Sequence, residues 1–265
     1  MQKTNYSLPL SATILLLVVS FLFNTGAFAQ SDNISVYAYR KVPAENMGEF
    51  VERETKYWSK VAKKAIDEGK LEFWGLFYRI DGDDMQNEPN FLFVNVFKDA
   101  DQAMDYSIWD TKKVFPDVPL EKISTANLST TTSRYMFQSI RSESKSDISD
   151  EDLKYVKIYY HNSSNPYSYV QTEAEHWGPF IKKAMDTGLT SQVAWGNDRL
   201  LTPMGPDIPF TSVSWDFYPS LQSTLMPQWK DGTEFPTQMF EEMEKTMIGD
   251  RWGQEVYQAV IMIGK

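Results

Sequence analysis

Apolar positions along the chain follow two different spacings, one typical of strands and one typical of helices. Between Asn46 and Gly69, apolar residues recur at helical spacing, and the glycine is well suited to end the helix. Glu49, three residues after Asn46, completes the pattern of a capping box. Flanking segments rich in β-branched and aromatic residues predict strands at 34–42, 71–80, 91–98 and 133–140.

This pattern occurs a second time. Residues 54–69 and 173–188 are identical at seven of sixteen aligned positions, and a Trp-Gly pair follows each segment. Repeated units of domain size indicate two copies of one fold. In the second copy the pattern predicts strands at 155–161, 192–200, 210–218 and 255–263. The predicted organisation is a first repeat at 30–141, a linker at 142–152 and a second repeat at 153–265.

Each repeat has the element order β-α-β-β-α-β, which is that of a ferredoxin-like unit. Its antiparallel sheet carries helices on one face only, so we expect the two bare faces to pack against each other. The chain thus resembles the dimeric α+β barrel superfamily, in a form that places both halves in one polypeptide. The resemblance implies an α+β fold of two tandem ferredoxin-like repeats packed sheet to sheet as an intramolecular barrel.

That superfamily includes haem-degrading and cofactor-free monooxygenases, dye-decolorising peroxidases, chlorite dismutases and proteins without known activity. The resemblance therefore leaves open whether the protein is an enzyme and which cofactor, if any, it uses. Because the two halves can complete a barrel alone, a monomer is expected, with a homodimer as the alternative.

The N-terminal 29 residues have the pattern of a secretory signal peptide. Lys3 precedes an apolar run at 12–23, and Ala27-Phe28-Ala29 forms a small-x-small cleavage site. The run is too short to span a bilayer comfortably. We expect a mature protein that begins at Gln30, is exported to the periplasm or secreted, and has no membrane anchor after cleavage.

Composition narrows the functional classes. The chain has no cysteine, which excludes disulfides, thiolate metal sites and a cysteine nucleophile. Its net charge of −10 argues against nucleic-acid binding, which needs a basic surface. Aromatic residues make up 14% of the chain, so a packed core is expected.

Two glutamates carry the first candidate chemistry. Glu54 lies on the apolar stripe of its helix between Phe50 and Trp58, and Glu173 takes the same position in the second repeat. A carboxylate on such a stripe is desolvated, which raises its pKa toward neutrality and suits a general acid or base. The alternative is a structural role, in which each glutamate bonds a Trp indole N–H, a Tyr hydroxyl or a Lys of the facing sheet, and its presence in both repeats favours that role.

The two histidines belong to the second repeat alone. His176 is spaced i, i+3 from Glu173 and shares its helical face, and His161 ends the strand that carries Tyr159. These residues could form a Glu–His proton shuttle, a histidine–carboxylate metal set or a haem ligand. The spacing of these residues does not distinguish the three possibilities. The alternative is that both histidines face solvent or form hydrogen bonds without a functional role.

Gly178-Pro179 interrupts the second helix, and the first repeat has Ser59-Lys60 there. A proline kink would open a pocket beside Trp177 and Trp195. The resulting hypothesis is a pocket for an apolar or aromatic ligand in the second repeat, with Glu173 and His176 as catalytic pair. The ligand-contacting residues would be Trp177, Trp195, His161, Tyr159, Glu54 and Trp58. The alternative is a non-catalytic binding or structural module in which these residues are core.

Overall fold

A closed antiparallel β-barrel forms the centre of the protein. The computed structural model describes residues 33–80, 88–249 and 253–264. The strands pair in the order β1-β3-β2-β8-β5-β7-β6-β4, and the last strand returns to the first. Closure gives each of these strands two hydrogen-bonded neighbours and removes exposed sheet edges. Their bounds are β1 Ile34–Lys41, β2 Phe73–Arg79, β3 Phe91–Phe97, β4 Thr130–Ser144, β5 Tyr155–His161, β6 Ala194–Thr202, β7 Ser212–Tyr218 and β8 Gly253–Gly264.

The first four strands pair in the order β4-β1-β3-β2, and the last four pair in the corresponding order β8-β5-β7-β6. Contacts of β2 with β8 and of β4 with β6 join the two sets. This is the strand order of a ferredoxin-like sheet in each half, and the predicted α+β barrel fold class is confirmed. The origin of the two halves as repeats stays a prediction from the sequence.

Helices lie outside the barrel. The long helix of each half consists of two α-helical parts joined by a wide π-helical turn, at Glu54–Trp58 in the first half and Glu173–Trp177 in the second. The α-helices are α1 Met47–Arg53, α2 Ser59–Asp67, α3 Ala100–Ala103, α4 Leu120–Ile123, α5 Pro166–Thr172, α6 Gly178–Asp186, α7 Leu221–Leu225 and α8 Thr237–Glu244.

The sequence analysis expected an interruption only at Gly178-Pro179 of the second helix and did not predict a wide turn in either one. Both helices widen at the repeated glutamate, and only the second contains Pro179. Pro179 directly follows the π-helical turn and has no N–H to donate to the preceding turn of this continuous helix. Within the wide turn of the second half, the Ala174 carbonyl accepts a 2.9 Å hydrogen bond from Nη1 of Arg141 on β4.

Capping differs between the two long helices. The Asn165 side chain accepts a hydrogen bond from Ser168 N, as expected for an N-cap followed by proline. Asn46 makes no such bond, because a 3-10 turn at Ala44–Asn46 precedes α1, and Glu49 pairs with Arg53 instead. The predicted capping box is absent from α1.

The predicted linker begins too early. Strand β4 continues to Ser144, and its residues Ser142–Ser144 pair with Ala194–Gly196 of β6. These polar residues alternate between the two faces of a strand near the end of the barrel, which explains why their composition resembled a linker. The connection between the halves therefore starts at Lys145.

The predicted signal peptide at 1–29 lies outside the described residues. Within the described part of the chain, no helix is long and apolar enough to cross a membrane.

Candidate functional site

One end of the barrel interior is hollow. The cavity has a volume of about 380 Å³, which lies within the usual range for small-molecule sites. Along each strand, inward-facing side chains alternate with outward-facing ones. The inward-facing side chains that form the cavity wall are mostly apolar. Apolar lining residues are Phe73, Phe77, Leu92, Val94, Val96, Ile148, Leu153, Val156, Ile158, Ala194, Trp215, Phe217 and Met262. Polar lining residues are Asn33, Ser35, Tyr37, Ser139, Arg141, Ser142, Ser144 and Asp198.

A buried carboxylate forms part of this wall. Asp198 on β6 is 3% exposed and accepts a 2.9 Å hydrogen bond from the Tyr37 hydroxyl. Burial raises the pKa of Asp198 to about 6, and hydrogen bonds from Tyr37, Ser139 and Trp215 oppose that rise. An acid with such a pKa accepts and returns protons near neutral pH.

The approach of Trp215 to the barrel wall requires a glycine. A Cβ atom at Gly196 would lie 2.5 Å from Cε2 of the Trp215 indole. Absence of a side chain lets the indole lie close to β6, where it lowers the pKa of Asp198. The glycine of the second Trp-Gly pair thus makes room for Trp215, which lines the cavity, while Trp195 points to the helix side.

Tyrosine side chains close the opposite end of the barrel. Tyr39 and Tyr160 share a 2.7 Å hydrogen bond, and Tyr160 and Tyr257 each donate a 2.6 Å bond to Glu255. Arg79 pairs with the same carboxylate at 3.2 Å. Burial raises the pKa of each of these tyrosines, so they remain protonated donors.

The two halves differ at corresponding positions of the cavity. Phe77 pairs with Leu92 in the first half, and Asp198 pairs with Val213 at the same register in the second. Each residue lies three positions after the tryptophan of its Trp-Gly pair. The sequence analysis missed Asp198, although that alignment places an acid opposite a phenylalanine. The carboxylate therefore occurs in one half without a counterpart in the other.

Both predicted glutamates are buried as expected. Glu54 is 3% exposed and accepts a 2.6 Å bond from Thr125 Oγ1. Burial raises its pKa to about 7, while Thr125 and Arg40 lower it. Glu173 is 7% exposed and accepts a 2.9 Å bond from Asn197 Nδ2. The two acids have similar burial but different partners.

His176 does not share the environment of Glu173. Its side chain is exposed, whereas Glu173 faces the sheet. Both residues lie in the π-helical turn, where a wider turn changes the angle between positions i and i+3. The expectation of one shared helical face is therefore wrong, and the direct Glu173–His176 pair with it.

His161 is buried and bonded through both ring nitrogens. Nε2 lies 2.6 Å from Ser214 Oγ, and Nδ1 lies 3.1 Å from the Tyr169 hydroxyl. Tyr159, which is half-buried, stacks beside it. Among the described residues no group of three or more His, Asp or Glu side chains could hold a metal ion.

Tryptophans of the predicted site are dispersed. Trp195 is buried in the core under α6, and Trp58 donates a 3.1 Å hydrogen bond to the Ile123 carbonyl. Trp177 belongs to an outer aromatic cluster with Phe180, Trp229, Phe235 and Phe240. None of the eight predicted site residues lines the barrel cavity.

Under the second long helix, the sheet surface is polar where the first half is apolar. Leu76 pairs with Phe93 in the first half, and the corresponding pair in the second is Asn197 with Ser214. Asn197 Oδ1 and Ser212 Oγ are buried and have no hydrogen-bond partner within the described parts of the chain. Two residues of the predicted second-repeat site, Glu173 and His161, lie at this polar surface beside these buried atoms.

Solved structures show the same fold over the whole barrel. An anthrone oxidase-like protein superposes with a TM-score of 0.53 at 12% identity, covering 89% of this chain and 94% of its own. A proposed monooxygenase from Lactobacillus acidophilus gives 0.55 at 9% identity, covering 88% and 96%. Another from Fusobacterium nucleatum gives 0.51 at 11% identity, covering 90% and 96%.

These similarities show that the chain has the dimeric α+β barrel fold, which confirms the resemblance found in the sequence. No protein-family model and no curated protein sequence matches the chain.

Proposed function

We propose that the protein binds an apolar, aromatic small molecule inside the barrel and removes a weakly acidic proton from it. The observation that carries the proposal is a buried carboxylate, Asp198, in the wall of an otherwise apolar cavity of about 380 Å³. Burial, not a charged partner, sets its pKa near 6, as is typical of catalytic bases. Neighbours named as an anthrone oxidase-like protein and as monooxygenases support a monooxygenase-type reaction.

Asp198 takes a proton from an activated methylene carbon of the substrate, and Tyr37 holds the carboxylate in place. The resulting carbanion gives electrons to dioxygen, and a carbon–oxygen bond forms. Loss of the second proton breaks the oxygen–oxygen bond. One oxygen atom stays in the product as a carbonyl, and the other leaves as water with the two protons that the methylene carbon has lost, one of them returned by Asp198.

Oxygen uptake with anthrone as the probe substrate tests this proposal. Asp198→Asn keeps the shape of the side chain but removes its basicity, so we expect uptake to fall by about a hundredfold or more, as for loss of a general base. Asp216→Asn is the matched control, because Asp216 lies on the neighbouring strand and faces away from the cavity. Full uptake by the Asp198→Asn variant would contradict the proposed base.

Wild-type protein that binds anthrone without consuming oxygen would favour the alternative, a non-catalytic binding module. In that case Asp198 serves as a hydrogen-bond acceptor for the ligand and not as a base.

A second candidate site is the polar sheet surface under the second long helix. It is favoured by the unpartnered Asn197 Oδ1 beside Glu173. Glu173→Gln distinguishes the two sites: reaction in the cavity leaves oxygen uptake unchanged, whereas reaction under the helix abolishes it. Glu54→Gln, the corresponding substitution in the first half, is the control variant.

We further propose that the protein is exported and cleaved before Gln30. Ala27-Phe28-Ala29 supports this cleavage site. Mass spectrometry of the protein recovered outside the cytoplasm should give a chain that starts at Gln30, and an uncleaved chain would contradict the proposal. One chain closes the barrel, so we expect a monomer in solution, with a homodimer as the alternative.

A further inference from the structure

The connection between the two halves lies at the hollow end of the barrel. It leaves β4 at Ser144 and enters β5 at Tyr155, and its side chains Ile148 and Leu153 line the cavity. Both side chains are half-buried. A connection whose apolar side chains contribute to a cavity wall does more than link two domains. We call residues 145–153 the crossing segment.

The crossing segment is attached to the second half by a small set of polar contacts. Ser146 N donates a 2.8 Å bond to Asp186 Oδ1, and Lys182 Nζ donates bonds of 2.7 Å to Ser146 Oγ and 2.6 Å to Asp186 Oδ2. Lys145 N also donates a 2.9 Å bond to the Val193 carbonyl. These contacts hold the segment at the end of α6 and the start of β6.

Most of these contacts are exposed to solvent. Asp186 and Lys182 have side chains that are about one-third exposed, and Asp147, which pairs with Lys145, is 75% exposed. Exposed ion pairs contribute little to stability. Opening the crossing segment therefore breaks a few polar contacts and uncovers two half-buried apolar side chains, whereas opening the barrel wall would break rows of strand hydrogen bonds.

The sides and the far end of the described barrel are closed. Hydrogen-bonded strands form a continuous wall, and the Tyr39–Tyr160–Glu255 cluster fills the opposite end. A ligand that reaches Asp198 therefore enters at the hollow end, where Ile148 and Leu153 line the cavity.

We propose that the crossing segment is the gate of the cavity and that Ile148 and Leu153 select ligands by size and apolar character. This inference rests on the proposed ligand site inside the barrel. Asp186 keeps the gate closed through Ser146. The two apolar side chains cover the bound ligand, which disfavours ligands with a charged group at that end.

Asp67 offers a matched control for Asp186. The two aspartates align in the repeated helix segments, and each pairs with a lysine one turn earlier, Lys63 and Lys182. Only Asp186 also accepts a bond from the crossing segment. Asp186→Asn and Asp67→Asn therefore remove similar ion pairs, but only the first loosens the gate.

Stopped-flow fluorescence with N-phenylnaphthylamine, an uncharged aromatic probe, tests the gate in the full mature chain. We expect Asp186→Asn to raise both the association and dissociation rates by about threefold to tenfold, because the amide oxygen accepts the bond from Ser146 N without a charge and the ion pair with Lys182 is lost, with the Kd nearly unchanged. Ile148→Ala with Leu153→Ala should raise the dissociation rate and weaken binding. Asp67→Asn should match the wild type.

Two further outcomes separate the gate from the site itself. If Asp186→Asn and the double alanine variant keep wild-type rates, while Ala194→Phe, which fills the cavity, abolishes binding, the gate is wrong and the ligand site stands. If the probe does not bind, or if it binds a folded Ala194→Phe variant as tightly as the wild type, both proposals are wrong. Circular dichroism verifies that each variant is folded.

Discussion

The Tyr37 hydroxyl donates a 2.9 Å hydrogen bond to Asp198 Oδ2, and both residues are buried inside the barrel. Tyr37 lies on β1 and Asp198 on β6, and these strands are separated by β4 in the barrel. A neutral donor only partly replaces the hydration of a carboxylate. The pKa of Asp198 is therefore raised to about 6 even with its hydrogen bonds in place.

The first prediction is that the free energy of unfolding depends on pH through Asp198. A raised pKa in the folded state means that the charged form of Asp198 destabilises the fold, so this contribution to stability decreases as pH rises from about 4 to above 6. Asp198→Asn removes the charge and should raise the free energy of unfolding by about 1–3 kcal/mol at neutral to alkaline pH. Urea unfolding across this pH window measures the gain, which should vanish near pH 4. A gain that is independent of pH would contradict this account.

A second prediction concerns the partner hydroxyl. Tyr37→Phe removes a donor that lowers the pKa of Asp198, so this pKa should rise further. The lower pH limit of oxygen uptake or of probe binding should move to higher pH. Tyr39→Phe is the control, because the Tyr39 hydroxyl bonds Tyr160 and not Asp198. Equal pH limits in the two variants would exclude Tyr37 from the control of the carboxylate.

A third prediction concerns the glycine under Trp215. Gly196→Ala places a Cβ against the indole, and displacing a packed ring should lower the free energy of unfolding by about 1–3 kcal/mol. Gly205→Ala has open space around its Cβ and should have little effect. Thermal unfolding compares the two variants. Tryptophan fluorescence should also change in Gly196→Ala alone, because Trp215 lines the cavity.

A fourth prediction concerns Glu54. Burial raises its pKa to about 7, so its charged form costs stability above that pH and the cost disappears as pH falls toward 4.5. Glu54→Gln should therefore stabilise the protein by about 1–3 kcal/mol above pH 7. Glu52→Gln, at an exposed position of the same helix, is the control for surface charge. The free energies of unfolding of the wild type, Glu54→Gln and Glu52→Gln are compared at the same pH values. An equal gain in both variants would show that the gain does not come from burial of Glu54.

The fold and part of the candidate chemistry could be predicted from the sequence. The order of strands and helices along the chain followed from the spacing of apolar residues, and burial of Glu54 and Glu173 followed from their place on an apolar stripe. These are local patterns that a single helix or strand determines by itself. His176 was misplaced because the π-helical turn is a local irregularity that no helical-wheel spacing includes.

The cavity could not be predicted in the same way. Its wall combines Tyr37 from β1 with Asp198 from β6, and only the closed barrel brings these distant positions together. Asp198 did carry a signal, since it aligns with Phe77 after the repeated Trp-Gly pair. The polar crossing segment resembled an ordinary linker, because Ile148 and Leu153 are its few apolar residues and composition alone does not locate them at the cavity.

Closure of the barrel within one polypeptide changes which mutations the protein can accept. When two identical subunits form such a barrel, every substitution is made twice, and an acid near the symmetry axis would face its own copy at close range. Here Asp198 lies in one half alone, and the uncharged Phe77 takes the corresponding position in the other. The mutual repulsion of paired charges in a medium of low polarity is avoided.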